Sequence, residues 1–167
     1  MLIAIISDTH MPRGPRRLPA DCVERLKRAQ LILHAGDLMT TAVLEELESY
    51  GPVRAVHGNV DERELRRRLP ETDLVDIDGA QIGLIHDAGP AKGRFTRLRR
   101  RFPQADAVVF GHSHIPLLER SDDRGFQIFN PGSPTERRRS PHHTMGLARV
   151  VRGSLRFELV EVGSRTI

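Results

Sequence analysis

The sequence predicts an α/β fold that begins with βαβ units and ends as antiparallel β. Three observations carry this. Short apolar runs alternate with helically spaced apolar residues in the first half of the chain. Paired runs around tight-turn residues then replace that pattern. His, Asp and Asn gather directly after the apolar runs instead of scattering.

Leu2 to Ser7 reads as a buried strand. Cys22, Val23, Leu26 and Ala29 have the spacing of one helix face, and Leu31-Ile32-Leu33 is a second strand. Val43, Leu44 and Leu47 face the core from a second helix, with Thr40 or Thr41 as N-cap and Gly51 near its end. Val53 to Val56 makes a third strand. Strands alternating with helices predict a parallel sheet.

Leu74 to Ile77 and Gln81 to Ile85 flank Asp78-Gly79, a pair suited to the positive φ of a primed hairpin turn. Phe95, Leu98 and Phe102 mark one more helix, and Ala107 to Phe110 another buried strand. Leu117 to Arg120 and Phe126 to Phe129 flank a polar turn over residues 121–125. Met145 to Val151 and Leu155 to Val162 flank Arg152-Gly153-Ser154. No repeat or linker divides the chain, so residues 1–167 are expected to form one domain.

Composition bounds the function. Hydrophobic residues make up 38% and charged residues 29%, which excludes a disordered chain. Cys22 is the single cysteine, so no intrachain disulfide or Cys-rich zinc site is available; it is expected to be a small buried helix residue. No apolar run reaches membrane-span length and no signal-peptide pattern precedes Leu2, so a cytoplasmic location is expected. The net charge of +4 is carried almost wholly by Arg, with Lys only at 27 and 92. The Arg runs at 66–68 and 99–101 fall in helical stretches and are expected to face solvent; the run at 137–139 sits in a polar loop.

The chemistry lies at the strand ends. Ser7-Asp8-Thr9-His10 follows the first strand, His34-Ala35-Gly36-Asp37 the second and His57-Gly58-Asn59-Val60-Asp61 the third. His86-Asp87 follows the second hairpin strand, and Gly111-His112-Ser113-His114 follows Phe110. In open α/β sheets the carboxyl ends of strands form the ligand crevice. Carboxylate, imidazole and amide oxygen without thiolate suit divalent Mn, Fe, Zn, Ni or Co. Seven such donors are more than one ion needs. Two ions sharing a carboxylate would use them, and such a pair can clamp a phosphoryl group for in-line attack.

Asp8-x-His10, Gly36-Asp37, Gly58-Asn59-x-Asp61, His86 and Gly111-His-Ser-His114, in that order, resemble the motifs of the calcineurin-like metallophosphoesterases. The short chain and Asn130-Pro131-Gly132-Ser133 resemble the small bacterial and archaeal phosphodiesterase branch, to which the eukaryotic retromer subunit is related. The resemblance implies a four-layer α-β-β-α sandwich: two packed mixed β-sheets flanked by α-helices, with the site at one edge. It implies that Asp8, His10 and His114 hold one metal, that Asn59, His86 and His112 hold a second, and that Asp37 bridges them.

The function so implied is a phosphoesterase, in first place a phosphodiesterase, in which a hydroxide held by two metals attacks phosphorus in line. Asp37, Asn59 and His112 would be catalytic. Manganese is the favoured ion, with zinc, iron, nickel and cobalt also compatible. The substrate would be a small phosphodiester or nucleotide-like molecule, bound by Asn59 and by Arg137, Arg138 and Arg139, whose forks match phosphate oxygens. Many family members carry His directly after the motif Asn as a general acid. Here that position is Val60, which predicts weaker action on esters with poor leaving groups.

Asp61 is read either as a group that orients ligands or as a plain helix-start residue. His34 and His57 are read either as groups tuning the site or as locally bonded strand-end histidines. A nuclease, a binding scaffold with little or no activity, and a homo-oligomer stay open.

Overall fold

The structure, a computed structural model, describes residues 1–121 and 125–163. One five-stranded sheet has the order β10-β9-β1-β2-β3. Its parallel part comprises β1 (Leu2–Ile6), β2 (Leu31–His34) and β3 (Val53–Ala55), joined through α1 (Ala20–Arg28) and α2 (Thr41–Glu48). The terminal hairpin, β9 (His143–Val151) and β10 (Ser154–Val162), is added antiparallel on the other side of β1.

The second sheet has the order β4-β5-β6-β8-β7. It contains β4 (Thr72–Ile77), β5 (Ala80–Ile85), β6 (Ala107–Val109), β7 (Leu117–Arg120) and β8 (Gln127–Asn130). The Asp78-Gly79 hairpin forms as the sequence predicts, with both turn residues at positive φ. Part of the predicted turn after Arg120 lies outside the described residues. Helix α3 (Arg63–Arg68) follows β3, and α4 (Arg94–Arg101) links β5 to β6. Both sheets are therefore mixed, where strand–helix alternation alone pointed to a parallel one.

Strand alternation builds three apolar layers. Ile3, Ile5 and Leu33 point from the first sheet onto Ile82, Leu84 and Val109 of the second. Ala4, Ile6 and Ile32 point the other way, onto Cys22 and Leu26 of α1, Leu44 and Leu47 of α2, and Leu65 of α3. Val108 and Ile128 carry the outer face of the second sheet, covered by Leu98 and Phe102. Each such buried side chain contributes about 1.5–3 kcal/mol. The result is helix, sheet, sheet, helix, and Cys22 is fully buried in the first interface.

Two local expectations change. Thr40 occupies the N-cap of α2, but its side chain caps nothing. Glu62 Oε1 accepts the Thr41 N–H at 2.7 Å instead, so a residue just before α3 satisfies the start of α2. Arg99 does not point freely into solvent: it lies over the Phe126 ring and donates to the Ala105 carbonyl at 2.7 Å.

Candidate metal centre

Asp8 and His10 lie just past β1, Asp37 past β2, Asn59 past β3, His86 past β5, and His112 and His114 past β6. All seven meet at one edge where the two sheets abut. The chain must leave each strand in a sharp turn to do this. Asp8, His10, Asp37, His112 and His114 all have positive φ, between 46° and 68°. Such backbone is uncommon outside glycine and tolerated best by Asp, Asn and His.

The motif glycines leave room for the neighbouring acids. A Cβ on Gly58 would stand 2.0 Å from Asp37 Oδ1, and one on Gly111 would stand 2.7 Å from Asp8 Oδ2.

The donors form two groups, Asp8 with His10 and His114, and Asp37 with His86 and His112. In the first, His114 Nε2 is 3.4 Å and His10 Nε2 3.9 Å from Asp8 Oδ1. In the second, Asn59 Oδ1 lies 3.0 Å from both His86 Nε2 and His112 Nδ1. Asp37 Oδ2 touches both groups, 3.4 Å from His10 Nε2 and 3.2 Å from His86 Nε2.

Two of the four rings are turned by a bond at the far nitrogen. His86 Nδ1 meets the Ala35 carbonyl at 2.8 Å, and His114 Nδ1 meets the Glu136 carbonyl. Both nitrogens of His10 and Nε2 of His114 are buried without a hydrogen-bond partner. Unpartnered imidazole nitrogens aimed at buried carboxylates fit a site built for cations.

Residues 1–153 match the calcineurin-like phosphoesterase superfamily domain. The chain belongs to this superfamily. It is 36% identical to a probable metallophosphoesterase of Methanothermobacter thermautotrophicus, over 98% of this chain and 94% of that one. Wild-type Vps29 of Entamoeba histolytica complexed with zinc is 25% identical, with a TM-score of 0.75 over 96% of this chain and 99% of that chain. A single mutant of the same Vps29 superposes with a TM-score of 0.77, at 25% identity over 98% of this chain and the whole of that one. The two mixed sheets flanked by helices are the fold shared with these Vps29 structures.

The donor cluster is electrostatically unusual. Among the described residues no Lys or Arg side chain lies against Asp8 or Asp37. Burial works against a charged His10, but Asp37 and Asp8 beside it outweigh burial and raise the imidazole to about 9. Burial also opposes the charged form of Asp37, yet His10, His86 and the Val60 N–H hold its carboxyl well below the usual range. His86 is raised because Asp37 and Asp8 overcome its burial, while burial pulls His114 down. Among the described residues these buried carboxylates face imidazoles and N–H groups and no Lys or Arg, so their counter-charge comes from imidazole, a place divalent cations would take.

The surrounding residues divide by what they touch. Asp61 is buried and spends its carboxylate on N–H groups of the ligand loops rather than on a helix start, which favours the ligand-orienting reading. His34 is locally bonded: Nδ1 accepts the Gly36 N–H at 3.1 Å and Nε2 meets Thr9 Oγ1 at 3.2 Å. His57 has only a 3.5 Å contact with the Gly58 carbonyl.

The Asn130–Ser133 turn braces the centre. Asn130 Nδ2 donates to the Gly111 carbonyl at 3.0 Å, and Ser133 Oγ donates to the Asp8 carbonyl at 2.8 Å. In the loop beyond, Arg137 folds back onto the Pro141 carbonyl, while Arg138 reaches the His112 carbonyl at 3.4 Å. Arg139 is exposed.

Two participants were not legible in the sequence. Arg66, read as a solvated helix residue, donates to the carbonyls of Asn59 and Asp61 and fixes the third ligand loop. Glu136 contacts both histidines of the first group. The only signal in the sequence for Glu136 is its place three residues after Ser133.

Proposed function

We propose that the seven side chains hold two divalent cations, Mn²⁺ in first place, and that the chain hydrolyses a small phosphodiester of nucleotide-like chemistry. The observation that carries this reading is Asp37 Oδ2, which stands within 3.4 Å of an imidazole nitrogen in each group. A carboxylate oxygen so placed suits a bridge between two ions. When bound, two such ions supply Lewis acidity toward phosphoryl oxygens and an activated water for in-line attack. The zinc complex of Vps29 from Entamoeba histolytica, a protein of the same fold, supports metal binding.

The chain's own residues then have distinct tasks. Asp8, His10 and His114 hold the first ion, and Asn59, His86 and His112 the second. Asp37 sets the spacing between them, held in turn by the Val60 N–H at 3.0 Å. Asn59 and His112 are exposed at the mouth of the site, so their free edges can meet substrate. Of the three loop arginines, Arg138 is the one placed beside His112 for a phosphate oxygen.

A small substrate is favoured over nucleic acid. Arg94 lies over the Phe110 ring, Arg97 binds the Ala88 and Pro90 carbonyls, and Arg99 covers Phe126. The basic face of α4 is thus largely spent on its own surroundings.

The test is metal content and turnover together. Purified protein given Mn²⁺ should carry two ions per chain and cleave bis(4-nitrophenyl) phosphate. Asp37→Ala should keep its fold by circular dichroism, lose at least one ion and lose turnover. Wild-type protein that takes up no metal would sink the enzyme reading and favour a scaffold. Retained turnover in Asp37→Ala would sink the shared-carboxylate arrangement.

A further inference from the structure

We infer that Glu136 is a positioning residue for the first metal group, fixing His10 through its carboxylate and His114 through its carbonyl, with Arg16 setting the carboxylate's orientation. This rests on the two-metal reading above and adds to it a residue outside the seven ligands.

The geometry is specific. His10 turns Nε2 toward Asp37 and Asp8, so Nδ1 is the far nitrogen. Glu136 Oε2 lies 3.6 Å from that Nδ1. Both atoms are buried and neither has another partner. The other carboxylate oxygen, Oε1, pairs with an Arg16 nitrogen at 3.0 Å. The backbone of Glu136 is itself anchored, because Ser133 Oγ accepts its N–H at 2.8 Å and donates to the Asp8 carbonyl. Its own carbonyl faces His114 Nδ1. One residue therefore stands behind both imidazoles of a group whose third member, Asp8, is tied to it through Ser133.

A histidine that gives Nε2 to a metal must carry its proton on Nδ1. A carboxylate behind Nδ1 favours that tautomer, aligns the ring and makes Nε2 more basic. Arg16 keeps the second oxygen occupied and the carboxylate from turning away.

Mn²⁺ binding, measured by calorimetric titration of the full chain, tests this without reference to turnover. Wild-type protein should show two sites. Glu136→Ala keeps the backbone carbonyl behind His114 and should weaken one site about 10–100-fold while leaving the other unchanged. Glu136→Gln should weaken the same site at least as much. Arg16 will hold the amide oxygen, leaving the NH₂ group to face His10 Nδ1 and stabilise the wrong tautomer.

Removing Arg16 in the Glu136→Gln background frees the amide to flip and should recover part of the lost affinity. A merely structural role predicts further loss in that double variant. Two unchanged sites in both single variants would overturn the assignment while leaving the two-metal reading intact. No recovery in the double variant would overturn the part given to Arg16. A wild-type protein with no Mn²⁺ site would overturn both readings.

Discussion

The carboxylate of Asp61 holds the backbone of Asp37 in place: Oδ2 accepts the Asp37 N–H at 3.2 Å. The same carboxylate accepts the Met39 N–H at 2.6 Å and the Gly58 N–H at 2.7 Å. A single buried acid thus ties the second ligand loop to the third. Asp61→Asn leaves one oxygen for three donors and turns an NH₂ group on the rest. It should lower stability by about 1–3 kcal/mol, the usual consequence of leaving buried donors unpaired. Urea unfolding is the measurement, and an unchanged midpoint would remove Asp61 from the scaffold of the site.

Gly58 makes a sharper prediction, because a single added carbon collides with Asp37, the proposed bridge. Its Cβ would lie 2.0 Å from Asp37 Oδ1 and 2.5 Å from Asp37 N. Gly58→Ala should therefore displace Asp37 and cost the protein at least one bound ion, with about 1–3 kcal/mol of overpacking strain. Gly51→Ala is the control, since its nearest neighbour would be 3.9 Å away. Metal analysis of the two proteins after Mn²⁺ loading decides, and equal occupancy would contradict the expected clash.

His34 gives a pH dependence. It is fully buried and accepts an N–H at Nδ1, so burial above all holds its pKa down at about 3, against 6.5 for the free side chain. The unfolded chain binds this proton below about pH 6.5 and the folded one does not, so stability falls as pH drops through that window. Above it, His34 adds no slope. The steepest contribution is about 1.4 kcal/mol per pH unit. His34→Asn can still present an oxygen to Gly36. In metal-free buffer its unfolding midpoint should fall less than that of wild type between pH 6 and pH 5. Parallel profiles would show that His34 is not the group responsible.

Val60 tests the missing proton donor. Its side chain is 40% exposed, and only its backbone N–H is engaged with Asp37, so substitution leaves that bond in place. Val60→His should raise kcat on an alkyl phosphodiester by about tenfold or more, short of the 10²–10⁴ typical of a well-placed acid. It should change turnover of a 4-nitrophenyl ester little. An equal gain on both substrates would point to something other than leaving-group protonation.

The order of elements and the gathering of His, Asp and Asn at the strand ends were written in the chain itself, because both are local; which seven of those residues form the candidate set came from the resemblance of the ordered motifs to a family. Strand runs show as short apolar stretches, helices show as spaced faces, and each motif begins within four residues of its strand end. Asp61 and His34 were legible as candidates for the same reason. What the sequence could not decide is which strands become neighbours. The terminal hairpin might have joined either sheet, and only packing places β9 against β1 and so carries the loop with Glu136 behind His10.

Arg66 and Glu136 were invisible as site residues because their contacts lie with backbone and ring atoms that local pattern does not reveal. Arg99 misled because its guanidinium lies over an aromatic ring and donates to a carbonyl, partners that a run of charges in the sequence does not reveal. The left-handed turns at five ligand positions belong to the same class. They are conformations that local preference disfavours, held because packed sheets and shared hydrogen bonds leave those side chains one place to converge.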